Sequence, residues 1–260
     1  MSQNVIFCFS GSGNCLDISE NIAKVLGDTD IIMMRKAPVK TDVSDALCVG
    51  FVFPCYAGGL PGKVKEYVGR IKLNPSAYTF GIVSAAAYPG IGLAEINSVI
   101  PLDYWKMITH QCSCIWLFPH KLMMPMQKDV FSAQKRSEKL AAEAAEDIIN
   151  RVVSKKVPNP GINRLESSAW PVLSGLKAKK FHVDAKKCVS CGQCEKLCPN
   201  GNIRVLGGHA VIGTDCLGCL ACLQYCPKGA ITMEGCESRE RYHNTEVTAS
   251  DLMQELIHID

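Results

Sequence analysis

Residues 188–199 read CVSCGQCEKLCP, and residues 216–227 read CLGCLACLQYCP. Each is Cys-x-x-Cys-x-x-Cys-x-x-x-Cys-Pro. The copies keep a constant offset of 28 positions: Cys188 to Cys216, Cys191 to Cys219, Cys194 to Cys222 and Cys198 to Cys226, with Ile203 and Ile231 in step. Self-similarity at a fixed offset marks a duplicated unit. The spacing has a chemical reason. A [4Fe–4S] cube offers four irons, each taking one soft thiolate. Three cysteines two apart wrap a short loop around one cube, and the fourth, ahead of Pro, ligates the other cube. Cluster one is therefore expected on Cys188, Cys191, Cys194 and Cys226, and cluster two on Cys216, Cys219, Cys222 and Cys198. Pro199 and Pro227 remove a donor and turn the chain away.

Zinc knuckles use two pairs of ligands, not runs of four with a trailing Cys-Pro. Disulfides need an oxidising compartment, for which the sequence gives no sign. Over residues 180–235 the chain resembles the bacterial two-cluster ferredoxins, which implies a small α+β domain there.

The 260-residue chain is long enough for one large or two modest domains. Hydrophobic content of 47% and charge of 20% describe a globular protein. The net charge of +3 is too small to argue for nucleic acid, and the basic residues are scattered without aromatic interleaving. Of the 15 cysteines, those outside the motif are Cys8, Cys15, Cys48, Cys55, Cys112, Cys114 and Cys236. That odd remainder argues against a disulfide framework and for a reducing cytoplasm. No signal peptide and no membrane span are expected.

The N-terminal half reads as repeated βα units. Residues 4–9, 30–34, 46–53, 79–84 and 108–117 read as five strands. The third is apolar throughout, as a central parallel strand requires. Helices are expected after the first loop, after Pro61, near 91–100 and over 131–153. Such a chain folds as a parallel sheet with helices on both faces, and its ligand sits outside the carboxyl ends of the strands.

The first of those ends carries Ser10, Gly11, Ser12, Gly13, Asn14 and Cys15. A strand, a tight hydroxyl- and glycine-rich loop and a helix bind an anion, because backbone N–H groups and the helix dipole point at it. No Gly-Lys-Ser/Thr follows, so this is not the nucleoside-triphosphate loop, and Leu16 stands where a dinucleotide fingerprint needs its third glycine. The pattern resembles the flavodoxin phosphate loop, with Ser12 for its middle Thr and Cys15 for its last. Over residues 3–153 the resemblance implies a flavodoxin-like five-stranded parallel sheet of order 2-1-3-4-5 and bound FMN. It implies that Pro54, Cys55, Tyr56, Ala57, Gly58 and Gly59, and then Ser84, Ala85, Ala86, Ala87, Tyr88, Pro89 and Gly90, flank the flavin ring. Tyr56 and Tyr88 are candidates to stack on it, and the glycines would let backbone N–H groups approach its edge. Cys55 reads as a small buried apolar residue. Cys112 and Cys114 read in the same way, as small apolar residues rather than a metal site.

Residues 154–180, with Pro158, Pro160 and Gly161, read as a linker draped over the surface and anchored by Trp170. Residues 236–260 read as a tail with a short helix carrying Leu252, Met253, Leu256 and Ile257 on one side, capped by Thr248 or Ser250. Arg241, Tyr242 and His243 read as a latch between domains. No hydrolase motif is present.

Taken whole, the chain resembles the fused flavodoxin–ferredoxin proteins of anaerobes. The resemblance implies electron transfer between two [4Fe–4S] clusters and FMN, with redox proteins as partners. An FMN-dependent reductase of a small substrate, fed by its own clusters, is the alternative.

Overall fold

A computed structural model describes residues 2–35, 41–86, 88–109, 130–235 and 240–260. Cys112, Cys114, Cys236, Ala87 and the end of the expected fifth strand lie outside these residues.

The N-terminal part is built from β1 (Asn4–Cys8), α1 (Asn14–Leu26), β2 (Thr29–Met33), a short β3 (Asp42–Val43), β4 (Cys48–Pro54), α2 (Gly62–Val68), a short β5 (Lys72–Leu73), β6 (Tyr78–Ala85), α3 (Gly92–Asn97), β7 (Tyr104–Thr109) and α4 (Val130–Ile149). β1 pairs in parallel with β2 on one side and β4 on the other, β4 with β6, and β6 with β7. Alternation along β1 shows why the sheet is covered on both faces. Ile6 and Cys8 enter a core with Leu16, Ile18 and Ile22 of α1 and Ala141, Ala144, Ala145 and Ile148 of α4. Val5 and Phe7 enter the opposite core with Phe51, Phe53, Val64, Tyr67, Leu93 and Ile96. Each such large apolar side chain contributes about 1.5–3 kcal/mol on burial.

Two expectations are corrected here. The sheet holds six strands, not five. The sixth is β12 (Leu256–Ile259), which lies antiparallel along β2 with Ile257 opposite Ile31. The tail helix is only α8 (Ala249–Met253), so Leu256 and Ile257 do not continue it. Residues 256–259 alternate, with Ile257 and Ile259 packing against the core, and pairing satisfies the otherwise open backbone edge of β2. Thr248 caps α8 in a box with Asp251: each side chain accepts from the other's backbone N–H.

The expected draped linker is largely the helix α5 (Ile162–Ala178). It contains Pro171, whose missing N–H removes one helical hydrogen bond. That interior proline and the preceding Pro158-Asn159-Pro160-Gly161 mask a helix whose Trp170 is buried.

The cysteine-rich part has β8 (Phe181–Val183) paired with β11 (Ile231–Met233), the hairpin β9 (Ile203–Leu206) and β10 (His209–Ile212), and two short helices, α6 (Gln193–Leu197) and α7 (Ala221–Gln224). Its backbone repeats as its cysteines do. Positive φ recurs at Ser190 (55°) and Gly218 (72°), Gly192 (74°) and Leu220 (63°), and Gly201 (62°) and Gly229 (58°), each pair at the same offset of 28. Ser190 and Leu220 adopt this costly geometry without being glycine, so the loop shape overrides local preference.

Candidate functional site

Two cavities in the cysteine-rich part divide the eight thiols. One is lined by Cys188, Cys191, Cys194 and Cys226, with Val189 and Lys228 at its mouth. The other is lined by Cys198, Cys216, Cys219 and Cys222, with Leu217 and Leu220. Each takes three cysteines from one repeat and the fourth from the other. The positive-φ residues fold each loop so that its N–H groups face sulfur. Asn202 N–H donates to Cys198 Sγ (3.2 Å), and its repeat mate Ala230 donates to Cys226 Sγ (3.3 Å). Gly218 N–H donates to Cys216 Sγ (3.3 Å). Such bonds stabilise charge on sulfur.

The surroundings differ. Cys191 is exposed, whereas the four thiols of the second cavity are all at least half-buried. Burial pushes Cys194 up to about 11, Cys219 up to about 12 and Cys222 well above the usual thiol range. These protons leave only when a metal takes the thiolates, so metal binding and proton release are coupled. Among the described residues no three acidic, thiol or imidazole groups converge as a single ion would need. The sulfurs ring two hollows instead, an arrangement that fits a polynuclear cluster.

A third cavity lies at the carboxyl ends of β1, β4 and β6. Ser10, Gly11, Ser12, Asn14 and Cys15 form one side, Pro54, Cys55, Tyr56 and Ala57 a second, and Ser84, Ala85 and Ala86 a third. The rest of its lining comes from farther along the chain: Trp170 of α5 and Gly218, Cys219 and Leu220 of the second cysteine repeat. The two loops touch. A Cβ on Gly11 would stand 2.3 Å from the Cys219 carbonyl oxygen, so only glycine fits. Tyr56 packs edge-on to Phe9 (centroids 6.1 Å apart) and tilted against Trp170 (6.5 Å). The Trp170 indole N–H donates to the Leu217 carbonyl (3.2 Å), which pins α5 to the cluster loop.

Sequence reasoning placed Gly58, Gly59, Tyr88, Pro89 and Gly90 around a ring, yet these residues do not line this cavity. They lie under α5. A Cβ on Gly59 would strike Ser167 Oγ at 1.9 Å, and one on Gly90 would strike the Gly58 carbonyl at 2.2 Å. The exposed Tyr88 donates its hydroxyl to the Glu166 carboxylate at 3.0 Å. Gly58 and Gly59 admit the close approach of α5, and Gly90 admits the Gly58 backbone. Cys55 is half-buried, and burial pushes its thiol up to about 11, consistent with an unreactive apolar side chain. Cys15 turns into the core, where Ser84 is its hydrogen-bond partner.

Residues 187–231 match the family of 4Fe-4S dicluster domains. No curated protein matches the chain. Among solved structures, an FMN-dependent NADH-azoreductase from Bacillus anthracis shares 9% identity over 57% of this chain and 99% of its own, with a TM-score of 0.41. An NAD(P)H:quinone oxidoreductase from Methanothermobacter marburgensis shares 13% over 57% and 98%, with a TM-score of 0.37. Rubredoxin oxygen:oxidoreductase from the anaerobe Desulfovibrio gigas shares 14% over 57% of this chain and 36% of its own, with a TM-score of 0.38. Likeness at this level carries no information about activity.

The tail ties the cysteine-rich part to the loop at residues 10–15. Arg241 donates to the carbonyls of Leu223 (2.9 Å), Gly229 (2.9 Å) and Ile231 (2.6 Å). Tyr242 then donates its hydroxyl to Asn14 Oδ1 (2.7 Å), and His243 stacks on Tyr225 (4.5 Å). The Asn244 N–H donates to the Ser12 carbonyl (2.8 Å), and its side chain donates to Asp17 (3.0 Å). The sequence signalled a latch but not its target, because the target is more than two hundred positions away.

The residues present fit the groups that the resemblance implies. The cysteine-rich part supplies eight thiols in two sets of four. At the anion loop, Ser10 Oγ is buried and has no hydrogen-bond partner, a state that costs about 1–3 kcal/mol unless a ligand relieves it. It stands beside the N-terminus of α1, where a phosphate would be favoured.

Proposed function

We propose that this chain is an electron carrier that relays low-potential electrons between two [4Fe–4S] clusters and FMN. Cys188, Cys191, Cys194 and Cys226 hold cluster one. Cys216, Cys219, Cys222 and Cys198 hold cluster two. Residues 1–153 bind the flavin, 154–180 join, 181–235 carry the clusters and 236–260 latch the parts together. A reducing cytoplasm suits such thiolates, and redox proteins are the partners.

One observation carries this reading: the loop bearing Cys219 is a wall of the cavity built by the anion loop. A cluster ligand and the candidate phosphate site share one enclosure, so charge need not cross solvent. When bound, the clusters supply one-electron steps and the flavin one- or two-electron steps. The chain's own residues do the rest. Ser10 and the backbone N–H groups at the start of α1 hold the phosphate. Tyr56, Trp170 and Leu220 exclude water, which strengthens every charge interaction inside. Gly11 and Cys219 keep the two loops in contact. Trp170 and residues 218–220 cover this cavity, and a covered site suits a carrier better than a reductase that must admit a substrate.

The test is iron, acid-labile sulfide and flavin analysis of protein purified without oxygen. The expected result is about eight irons and one FMN per chain, with cluster-to-flavin electron exchange at a rate independent of protein concentration. Iron in that amount with no flavin taken up from added FMN would overturn the relay.

A further inference from the structure

Arg35 follows β2 at the carboxyl end of the sheet and is half-buried. Its guanidinium donates to two carbonyls from distant segments. One belongs to Leu252 in α8, and the other to Lys196 in α6, two positions before Cys198. Its own N–H donates to the Tyr67 hydroxyl (3.3 Å). The side chain is thus fixed at the junction of the sheet, the tail and the cluster loops. Among the described residues no carboxylate pairs with it. Burial pulls its pKa down, and the nearby sulfurs of Cys219 and Cys198 oppose that shift. A guanidinium nonetheless stays charged in proteins. The Glu255 carboxylate also lies near enough to favour the charge without pairing with it, and a half-buried cation bonded only to carbonyls is incompletely compensated.

We infer that Arg35 is the counter-charge of cluster two and holds its reduction potential above that of cluster one. The inference rests on the cluster assignment above. Reduction adds one electron and no proton, so the net negative charge beside Arg35 rises by one. A fixed cation in a partly water-excluded site stabilises that added charge. Burial alone would disfavour it, and Arg35 opposes that effect. Around cluster one the exposed Lys186, Lys187 and Lys228 are screened by water and salt, and the half-buried Arg241 is shared by both repeats, donating to the Leu223 carbonyl next to Cys222 as well as to those of Gly229 and Ile231. Electrons entering at the exposed cluster therefore settle on the inner one, beside the anion loop.

The test is a potentiometric titration of the intact, cluster-loaded chain with dithionite as reductant, followed by electron paramagnetic resonance. In the natural chain, Cys191→Ser is expected to alter only the signal of the centre reduced second. Arg35→Gln is expected to shift the higher potential to a more negative value and leave the lower one in place. Arg35→Lys, which keeps the charge, should retain most of the higher value. The inference is overturned if Arg35→Gln moves neither potential or both equally, or if Cys191→Ser alters the centre reduced first. The second criterion holds even if Arg35→Gln does not assemble. Iron for only one cluster in the natural chain overturns the cluster assignment itself, and this inference with it.

Discussion

The two cysteine repeats share a motif and a backbone, yet at matched positions they meet different neighbours. Val189 is exposed, while its mate Leu217 packs against the sheet's core and accepts a hydrogen bond from Trp170. Ser190 is exposed and Gly218 buried under the Trp170 ring. Gly192 has open space where a Cβ would go, while Leu220 is buried. The first loop faces outward and the second is a structural wall. One duplicated unit has thus become a port on one side and an interior contact on the other, without any change in the ligand set.

The sharpest break of this comparison is a ligand swap. Cys222→Ser is expected to remove cluster two and unseat the wall, costing several kcal/mol of folding free energy on the order seen for structural metals. Cys191→Ser should remove cluster one and leave the inner site and the fold. Iron analysis together with a denaturant melt reads both. Equal losses of stability would show that the two loops are equally structural.

Next in size is Gly11→Ala, which pushes a methyl group into the Cys219 carbonyl. Overpacking of this kind costs about 1–3 kcal/mol. Gly192→Ala meets no atom and should cost only the left-handed backbone penalty of about 1–2 kcal/mol. The two are separated by flavin uptake, which only Gly11→Ala should weaken. Uptake unchanged in Gly11→Ala would break the link between the cluster wall and the cavity.

The cysteine pattern was legible because ligand spacing is local and has few other uses. The 10–15 loop is local in the same way, and the structure places it on the wall of a cavity. The misread residues involve partners distant in sequence. Gly59 and Gly90 announce a close approach but not what approaches, and here it is α5 and a neighbouring turn. Residues 162–178 hide their helix behind Pro171. Leu256 and Ile257 continue a helical spacing from Leu252 and Met253, and only the open edge of β2 makes them a strand. Arg35 carried no signal, since a lone arginine after a strand has no pattern. The folded chain alone brings it to Lys196.

Smaller effects sharpen the latch. Arg241→Ala removes hydrogen bonds to three carbonyls and should cost roughly 2 kcal/mol. Limited proteolysis near residue 240 would report the release, and unchanged protection would rule out the latch. The smallest effect concerns β12. The Asp30 carboxylate, helped by Asp260, raises the pKa of His258. A raised histidine pKa stabilises the fold fully below its unfolded value of about 6.5 and loses that support as pH rises through the folded value. The stability gap between the natural chain and His258→Gln should therefore be full at acid pH and shrink as the pH rises above about 6.5. A gap that does not change with pH would leave the Asp30 contact without weight.

Because β12 lies against β2, the first sheet cannot be completed until the final strand has been made. At synthesis rates of about 5–20 residues per second, the edge of β2 stands open for on the order of ten seconds or more. Both cysteine repeats leave the ribosome within that interval. The cluster-bearing segment is therefore a loop between two strands of one sheet, closed like a hasp, with Ser2 and His258 meeting over Asp30 at the clasp. In kinetic terms, metal loading and closure of the sheet compete for the same window.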